Sequence, residues 1–190
     1  ARLWRLKHDL AVARGDDDRA RAAAHKLVTE YPSADPTKRS GLVPVGNLEP
    51  SERYARAKNL YEAWSYHEAR RAFEPLRDHP TYGDNARWYL AHIGLNKLRD
   101  RPAEAEKLFA SLVDGTPYAP DALYNMARAQ MSQEDYEAAL QTLDDYAERY
   151  PHGRHIESVY YYRGWLPYDH RHNDRAIEGF KEYIDRYGKG

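Results

Sequence analysis

The sequence contains no cysteine, so no disulfide staples the fold, and at 190 residues none is needed to bury a core. The absence leaves the compartment open, because a periplasmic chain can also do without disulfides. No apolar run approaches the roughly 20 residues that a membrane helix requires. Basic and acidic residues nearly balance, 29 against 30 with a net charge of −1, and no long block carries one sign. The electrostatic footprint of a nucleic-acid binder is therefore missing. Also missing are GxSxG, a Walker-type GxxxxGK[ST] and HExxH. The chain opens at Ala1 without Met, in a stretch with helical character, and reads as a mature fragment or an excised piece. Missing targeting signals then carry no weight.

What the sequence does have is tyrosine, 17 residues against 3 Phe, together with abundant Ala, Arg and Glu. Alanine and straight-chain residues favour helix. Tyrosine pairs a large apolar ring with a polar tip and suits the half-buried positions of a thin structure. A mean hydropathy of −0.95 agrees with much surface and a narrow core.

The chain repeats itself. In DYEAALQTLDDYAERYP (135–151), Ala139 is followed by Leu143 one turn on and by Pro151 at the end. The same frame gives Ala105, Phe109 and Pro117; Ala20, Ala24 and Pro32; Ala176, Phe180 and Gly188; and, one residue short, Ala69, Phe73 and Pro80. A small residue lets a neighbouring helix approach, a bulky one fills the next groove, and Pro or Gly ends the helix. Successive anchor alanines lie 49, 36, 34 and 37 residues apart. The first interval is long because it holds PSADPTKRSGLVPVGNLEP (32–50), a Pro-, Gly- and Ser-rich connection.

A partner helix precedes each anchor helix. It carries a small residue with an aromatic three places earlier: Tyr54 with Ala57, Trp88 with Ala91, Tyr124 with Ala127, Tyr161 with Gly164. Each pair shares one helical face. Trp4 begins the equivalent helix of the first unit. The pattern predicts ten helices near 2–14, 17–31, 51–64, 66–78, 84–99, 102–114, 119–132, 135–150, 155–168 and 173–187. These make a single helical-repeat domain over 1–190: a first hairpin in 1–31, a long connection in 32–50 and four contiguous hairpins in 51–190. Pro167 removes a backbone hydrogen bond, so the last hairpin is expected to have a shortened first helix and a bent corner.

The period, the small residue in the first helix, the Ala and bulky residue in the second and the terminal proline resemble the tetratricopeptide repeat, best in 119–151. The resemblance implies an all-α, right-handed superhelical stack of about five antiparallel hairpins. Two longer stretches are more specific. LEPSERYARAKNLYEAWSYHEARRAFEPL (48–76) and YYYRGWLPYDHRHNDRAIEGFKEYIDRYG (160–188) resemble segments of the soluble lytic murein transglycosylases of Gram-negative bacteria. That resemblance implies the superhelical, non-catalytic domain of a periplasmic enzyme, with its catalytic domain beyond Gly190 and a peptidoglycan glycan strand as ligand. The alternative is a tetratricopeptide adaptor of the cell envelope that binds protein or peptide partners and is unrelated to murein cleavage.

Those enzymes carry their catalytic glutamate in a Glu-Ser motif followed by Ala-x-Ser and Gly-Leu-Met-Gln stretches. Glu157-Ser158 has the dipeptide, but VYYYRGW follows it and Gly-Leu-Met-Gln occurs nowhere. Glu157 therefore reads as a solvated helix residue, and no catalytic residue is expected in this chain. His152, His155, His170 and His172 fall at helix connections and lack the three or four converging ligands of a zinc site. Asp16, Asp17 and Asp18 suit capping of the helix that follows. Asp144 and Asp145 are adjacent helical positions that do not face each other. No metal or cofactor is expected, nor any nucleic-acid partner or membrane insertion.

The aromatic row is the candidate binding surface. In tetratricopeptide stacks the first helices line the concave face, where Tyr54, Trp88, Tyr124 and Tyr161 would form a ladder joined by Tyr89, Asn125, Arg128, Tyr162 and Trp165. Such a groove could stack on sugar rings or hold a peptide. The same rings would also serve simply to pack one helix against the next.

The anchor frame is directly testable. Ala139→Asp puts an unpaired charge at a helix contact and should cost about 2–4 kcal/mol, against almost nothing for Glu157→Gln. A thermal midpoint for Ala139→Asp within about one degree of the parent would contradict the register.

Overall fold

The computed structural model describes residues 1–34 and 48–188. Within them the chain is all-α, with ten α-helices and no strand. They are α1 (Arg2–Ala13), α2 (Asp17–Glu30), α3 (Pro50–Glu62), α4 (Tyr66–Phe73), α5 (Gly83–His92), α6 (Pro102–Ala110), α7 (Ala119–Met131), α8 (Tyr136–Arg149), α9 (Ile156–Asp169) and α10 (Asn173–Tyr187). Most of the expected long connection, residues 35–47, lies outside the described residues; Pro32–Ala34 make one 3₁₀ turn. The helices form two compact units, Ala1–Tyr89 and Leu90–Gly190.

Every anchor residue is buried: Ala20, Ala69, Ala105, Ala139 and Ala176 on the second helices, and Ala57, Ala91, Ala127 and Gly164 on the first. The bulky residues one turn on, Phe73, Phe109 and Leu143, are sealed from solvent. Unit 1 packs through rings. Tyr54 stacks on Tyr82 with centroids 5.1 Å apart, and Phe73 stacks on Tyr89 at 4.7 Å. Unit 2 has an aliphatic core in which Leu123, Ala127, Ala139, Leu140, Leu143, Tyr146, Val159 and Leu166 cluster.

A turn chemistry that the sequence conceals repeats with the anchors. Five or six residues before each anchor, the backbone enters the left-handed region: Gly15 (φ +68°), Trp64 (+63°), Arg99 (+55°), Glu134 (+62°) and Arg171 (+61°). In four hairpins the next N–H donates to the carbonyl five residues back: Asp16 to Ala11, Ser65 to Leu60, Asp135 to Gln130 and His172 to Pro167. This 6→1 bond is the Schellman closure, and it satisfies a carbonyl the helix end would otherwise orphan. Helix starts are capped where sequence allows. Asp16 accepts from the Arg19 N–H and Asp135 from the Ala138 N–H, while Glu49 and Glu52 form a reciprocal capping box around Pro50.

The third hairpin departs from the frame for a visible reason. Ala91 and Ala105 are 14 residues apart, where the other pairs are 12 apart. One additional residue is absorbed by a π turn, Ile93–Lys97, that continues α5, and the closing bond becomes Asp100 N–H to the Gly94 carbonyl, six residues back.

Three expectations about helix ends need correction. The helix expected over 66–78 is α-helical only to Phe73. Pro75 lacks the N–H that would continue the ladder, and Glu74–Leu76 tighten into a 3₁₀ turn. The helix expected over 102–114 ends at Ala110, where the Ser111 hydroxyl donates to the Leu108 carbonyl at 2.7 Å. Pro167 does not shorten α9, which runs to Asp169 and has 14 residues. It sits in the last turn, so a single α bond is lost there, and the Arg163 carbonyl it leaves open lies against Gly179 of α10.

That contact marks the closest approach of α9 and α10. A Cβ on Gly179 would lie 2.6 Å from the Arg163 carbonyl oxygen and 2.7 Å from Gly164 Cα. Helix propensity alone favours alanine over glycine by about 1 kcal/mol. Gly179→Ala is nevertheless expected to destabilise, by about 1–3 kcal/mol, because backbone rather than side chain must move. Its urea midpoint should fall; a rise would show that the two helices separate easily.

Candidate functional site

Unit 2 holds a cleft of about 540 Å³ bordered by the end of α5 with its π turn and by α7, α8 and α9. Arg128 reaches it from α7, Tyr162, Trp165 and Asp169 from α9, Tyr136 from α8 and Asn96 from the π turn. The volume lies within the range of ligand sites, roughly 300–1,000 Å³.

These positions form a simple register. Counted from Trp88, Tyr124 and Tyr161, Arg128 and Trp165 stand four residues on; Asn96, Ser132 and Asp169 stand eight on; Tyr162 stands one on. At 3.6 residues per turn, offsets of one, four and eight fall within an arc of about 60°. The cleft is therefore lined by one face of consecutive first helices, rotated away from the aromatic ladder itself.

The ladder residues have other tasks. The Tyr54 hydroxyl donates to Asn85 Oδ1 at 3.4 Å, and its ring packs on Tyr82 and Phe73. Tyr89 packs on Phe73 and meets the edge of Tyr61. Trp88 is half-buried. Tyr124 stacks face to face on His155, with centroids 4.0 Å apart, and burial pushes its hydroxyl above the usual tyrosine range. Tyr161 is exposed beside Phe180 and Tyr183 of α10 and does not line the cleft. Of the nine candidates, Arg128, Tyr162 and Trp165 line the cleft, and the last two meet edge to face at 6.1 Å. Asn125 is buried behind it and holds Arg128.

Arg128 is the electrostatic centre. One nitrogen, Nη1, donates to Asn96 Oδ1 at 2.8 Å and to Asn125 Oδ1 at 3.1 Å. Asn125 is fixed in turn by donating Nδ2 to the Asp121 carbonyl at 2.8 Å. Both partners are neutral amides, and among the described residues no carboxylate pairs with the guanidinium. Asn96 Nδ2 is buried and has no hydrogen-bond partner among the described residues. His92, one repeat before Arg128, is pushed down to about 4 by burial, with the Lys97 and Arg128 charges adding to the effect. Burial also lowers His155, against the Asp121 carboxylate 2.9 Å away.

The other sequence candidates lie apart from this cleft. Glu157 is exposed in the first turn of α9 and accepts from the Tyr183 hydroxyl at 3.3 Å. His170 does border the cleft, and with His172 it stacks on Tyr136. Among the described residues, no three His, Asp or Glu side chains converge to hold a metal, and no helix is long and apolar enough to cross a membrane. Asn96 and Met131 are cleft residues that the aromatic row did not reveal; reading the sequence at offsets of seven and eight from each aromatic would have found them.

Tetratricopeptide-repeat models match residues 98–159 and 9–34. Among curated proteins no sequence matches the chain. Solved structures are similar over nearly the whole length. MamA 41-end from Desulfovibrio magneticus RS-1 is 15% identical with a TM-score of 0.61, covering 97% of this chain and 93% of that one. A crystal structure of MamA protein is 16% identical with a TM-score of 0.64, covering 98% and 91%. A structure of nearly identical TPR-like repeats from Podosopora anserina is 13% identical with a TM-score of 0.57, covering 95% and 93%. The fold is tetratricopeptide-like, and the chain carries repeats of that type.

The depressed His92 has a measurable consequence. Between the unfolded value of 6.5 and the folded value of about 4, the unfolded chain binds the extra proton, so the contribution is intact above 6.5 and is lost as pH falls toward 4. NMR titration of the folded chain should find His92 still neutral at pH 5.5, and His92→Gln should flatten part of the acid limb of stability. A midpoint near 6.5 would refute the burial argument.

Proposed function

We propose that the chain is a non-catalytic protein-interaction scaffold and that the cleft of unit 2 holds an extended peptide segment. The observation that carries this is the Arg128 guanidinium, set by two neutral amides in a cleft with an aromatic pair on its border. A peptide carboxylate would meet the Arg128 charge, and an apolar or aromatic side chain would rest on Tyr162 and Trp165. Charge-assisted bonds of this kind are stronger than neutral ones, and side chains held by packing lose less entropy on binding.

A finer reading makes the chain the helical domain of a periplasmic lytic transglycosylase that holds a glycan strand. It rests on the resemblance in residues 48–76 and 160–188 and on the aromatic pair, whose faces suit a sugar ring. Placement in the periplasm or cell envelope belongs to that finer reading alone.

The test is binding of short fluorescent peptides, varied in carboxylate and aromatic position, alongside soluble glycan strands from murein. Arg128→Met and Trp165→Ala should each weaken peptide binding at least about tenfold, roughly 1.4 kcal/mol, with Glu157→Gln unchanged. Retained binding in Arg128→Met would remove the peptide reading. Glycan binding that depends on Trp165 but not on Arg128 would favour the finer one.

A further inference from the structure

The border of the unit 2 cleft is divided by charge. Arg99, just past the π turn, and Arg128 on α7 bring positive charge to it. Glu134, in the turn between α7 and α8, and Asp169, the last residue of α9, bring negative charge. Each sign has its own corner. Arg128 donates to Asn96 of the π turn at 2.8 Å, three residues before Arg99, so the cationic corner lies toward that turn. Tyr136, two residues after Glu134, stacks on His170, the residue after Asp169, with ring centroids 4.4 Å apart. This stack holds the Glu134 turn beside the end of α9 and makes the acidic corner.

Arg99, Glu134 and Asp169 are exposed, and among the described residues no ion pair engages them. The neighbouring cation Arg175 is already matched by Glu137 at 3.0 Å, and Arg171 does not border the cleft. The edge-to-face pair of Tyr162 and Trp165 also borders the cleft, and Asp169 stands four residues beyond Trp165 on the same helix. Four residues advance a helix by about 6 Å. An extended peptide repeats its side-chain direction every two residues, about 7 Å. An apolar side chain resting on Trp165 therefore brings the side chain two residues away beside Asp169. A basic side chain suits that place. Its stem can lie along the rings, its head meets two carboxylates, and a cation is attracted to aromatic faces.

We propose that the segment held in the cleft is dipolar: an acidic residue toward Arg99 and Arg128, an apolar one on the rings, and a Lys or Arg two residues from the apolar one, toward Glu134 and Asp169. This rests on the peptide reading of the cleft and adds to it the basic residue and the direction in which the segment lies. Corners of opposite sign reject a wholly acidic or wholly basic segment, because one corner then faces like charge. They also fix the orientation of a mixed one.

The test is selection from a random heptapeptide display library against the full chain and two variants, followed by fluorescence anisotropy of the peptide selected by the parent. The parent should select one acidic and one basic position, the basic one two residues from an apolar one. Glu134→Gln combined with Asp169→Asn should keep the acidic position and lose the basic one; Arg128→Met should do the reverse. Replacing the basic residue of the selected peptide by Gln should weaken binding to the parent about three- to tenfold, with a smaller effect at about 0.5 M than at about 0.05 M salt. The same replacement should leave binding to the Glu134→Gln, Asp169→Asn variant unchanged. Acidic peptides selected without a basic position, or a basic position that survives in that variant, would overturn the proposal and leave the peptide reading standing. A library that yields no binder, or binders indifferent to Arg128→Met, would overturn both.

Discussion

Close approach of helix backbones is the constraint on which the rest of this structure depends. Where α9 crosses α10, Gly164 and Gly179 leave no room for a Cβ, and the Phe180 ring fills the space over Gly164. Where the π turn meets α6, Gly94 lies against the Arg101 carbonyl and Ala105. Elsewhere alanine suffices. Small residues at these points allow a thin, polar chain to be close-packed with only 3 Phe, since contact is made by backbone and methyl groups as much as by large side chains. Tyrosine covers much of what remains, buried at Tyr136, Tyr146 and Tyr160 and half-buried at Tyr54, Tyr89 and Tyr124.

Much of the fold was legible because this constraint writes itself into sequence at fixed intervals. The small residues, the bulky residue one turn later and the terminal Pro or Gly gave ten helices and their pairing. The hairpin turns were not legible. Trp64, Arg99, Glu134 and Arg171 adopt a left-handed conformation that sequence reasoning assigns to glycine. A strain of roughly 1 kcal/mol at each is tolerable when two helices and a Schellman bond over-determine the turn. Pro167 misled in the same manner: its local effect is real, yet one lost bond in a last turn cannot outweigh the packing of a whole helix.

The candidate surface was half legible. The aromatics marked the correct helices, but tyrosine is ambiguous between core and surface, and the most regular column turned out to serve packing. Tyr54, Tyr124 and Tyr161 each lie against another ring, as does Tyr89 beside the column. Arg128, Asn125, Tyr162 and Trp165 were singled out beside that column, and they are the ones that make or support the cleft. Asn96 was missed because the row was read only one and four residues beyond each aromatic, whereas Asn96 stands eight beyond Trp88, in the π turn.

A repeat protein distributes its bonding capacity differently from a closed globule. Many polar side chains among the described residues are matched within or between hairpins: Arg163 bridges Asp144 and Glu182, and Arg149 holds both Asp114 and the Val113 carbonyl. Against that background the exceptions carry information. Arg128 is held by amides without being neutralised, and Asn96 keeps a buried donor idle. Both sit in one cleft, on the helix face that the repeat leaves open to solvent. The same periodicity that builds the interior thus sets Arg128, Tyr162 and Trp165 on one face of their helices, where the cleft lies.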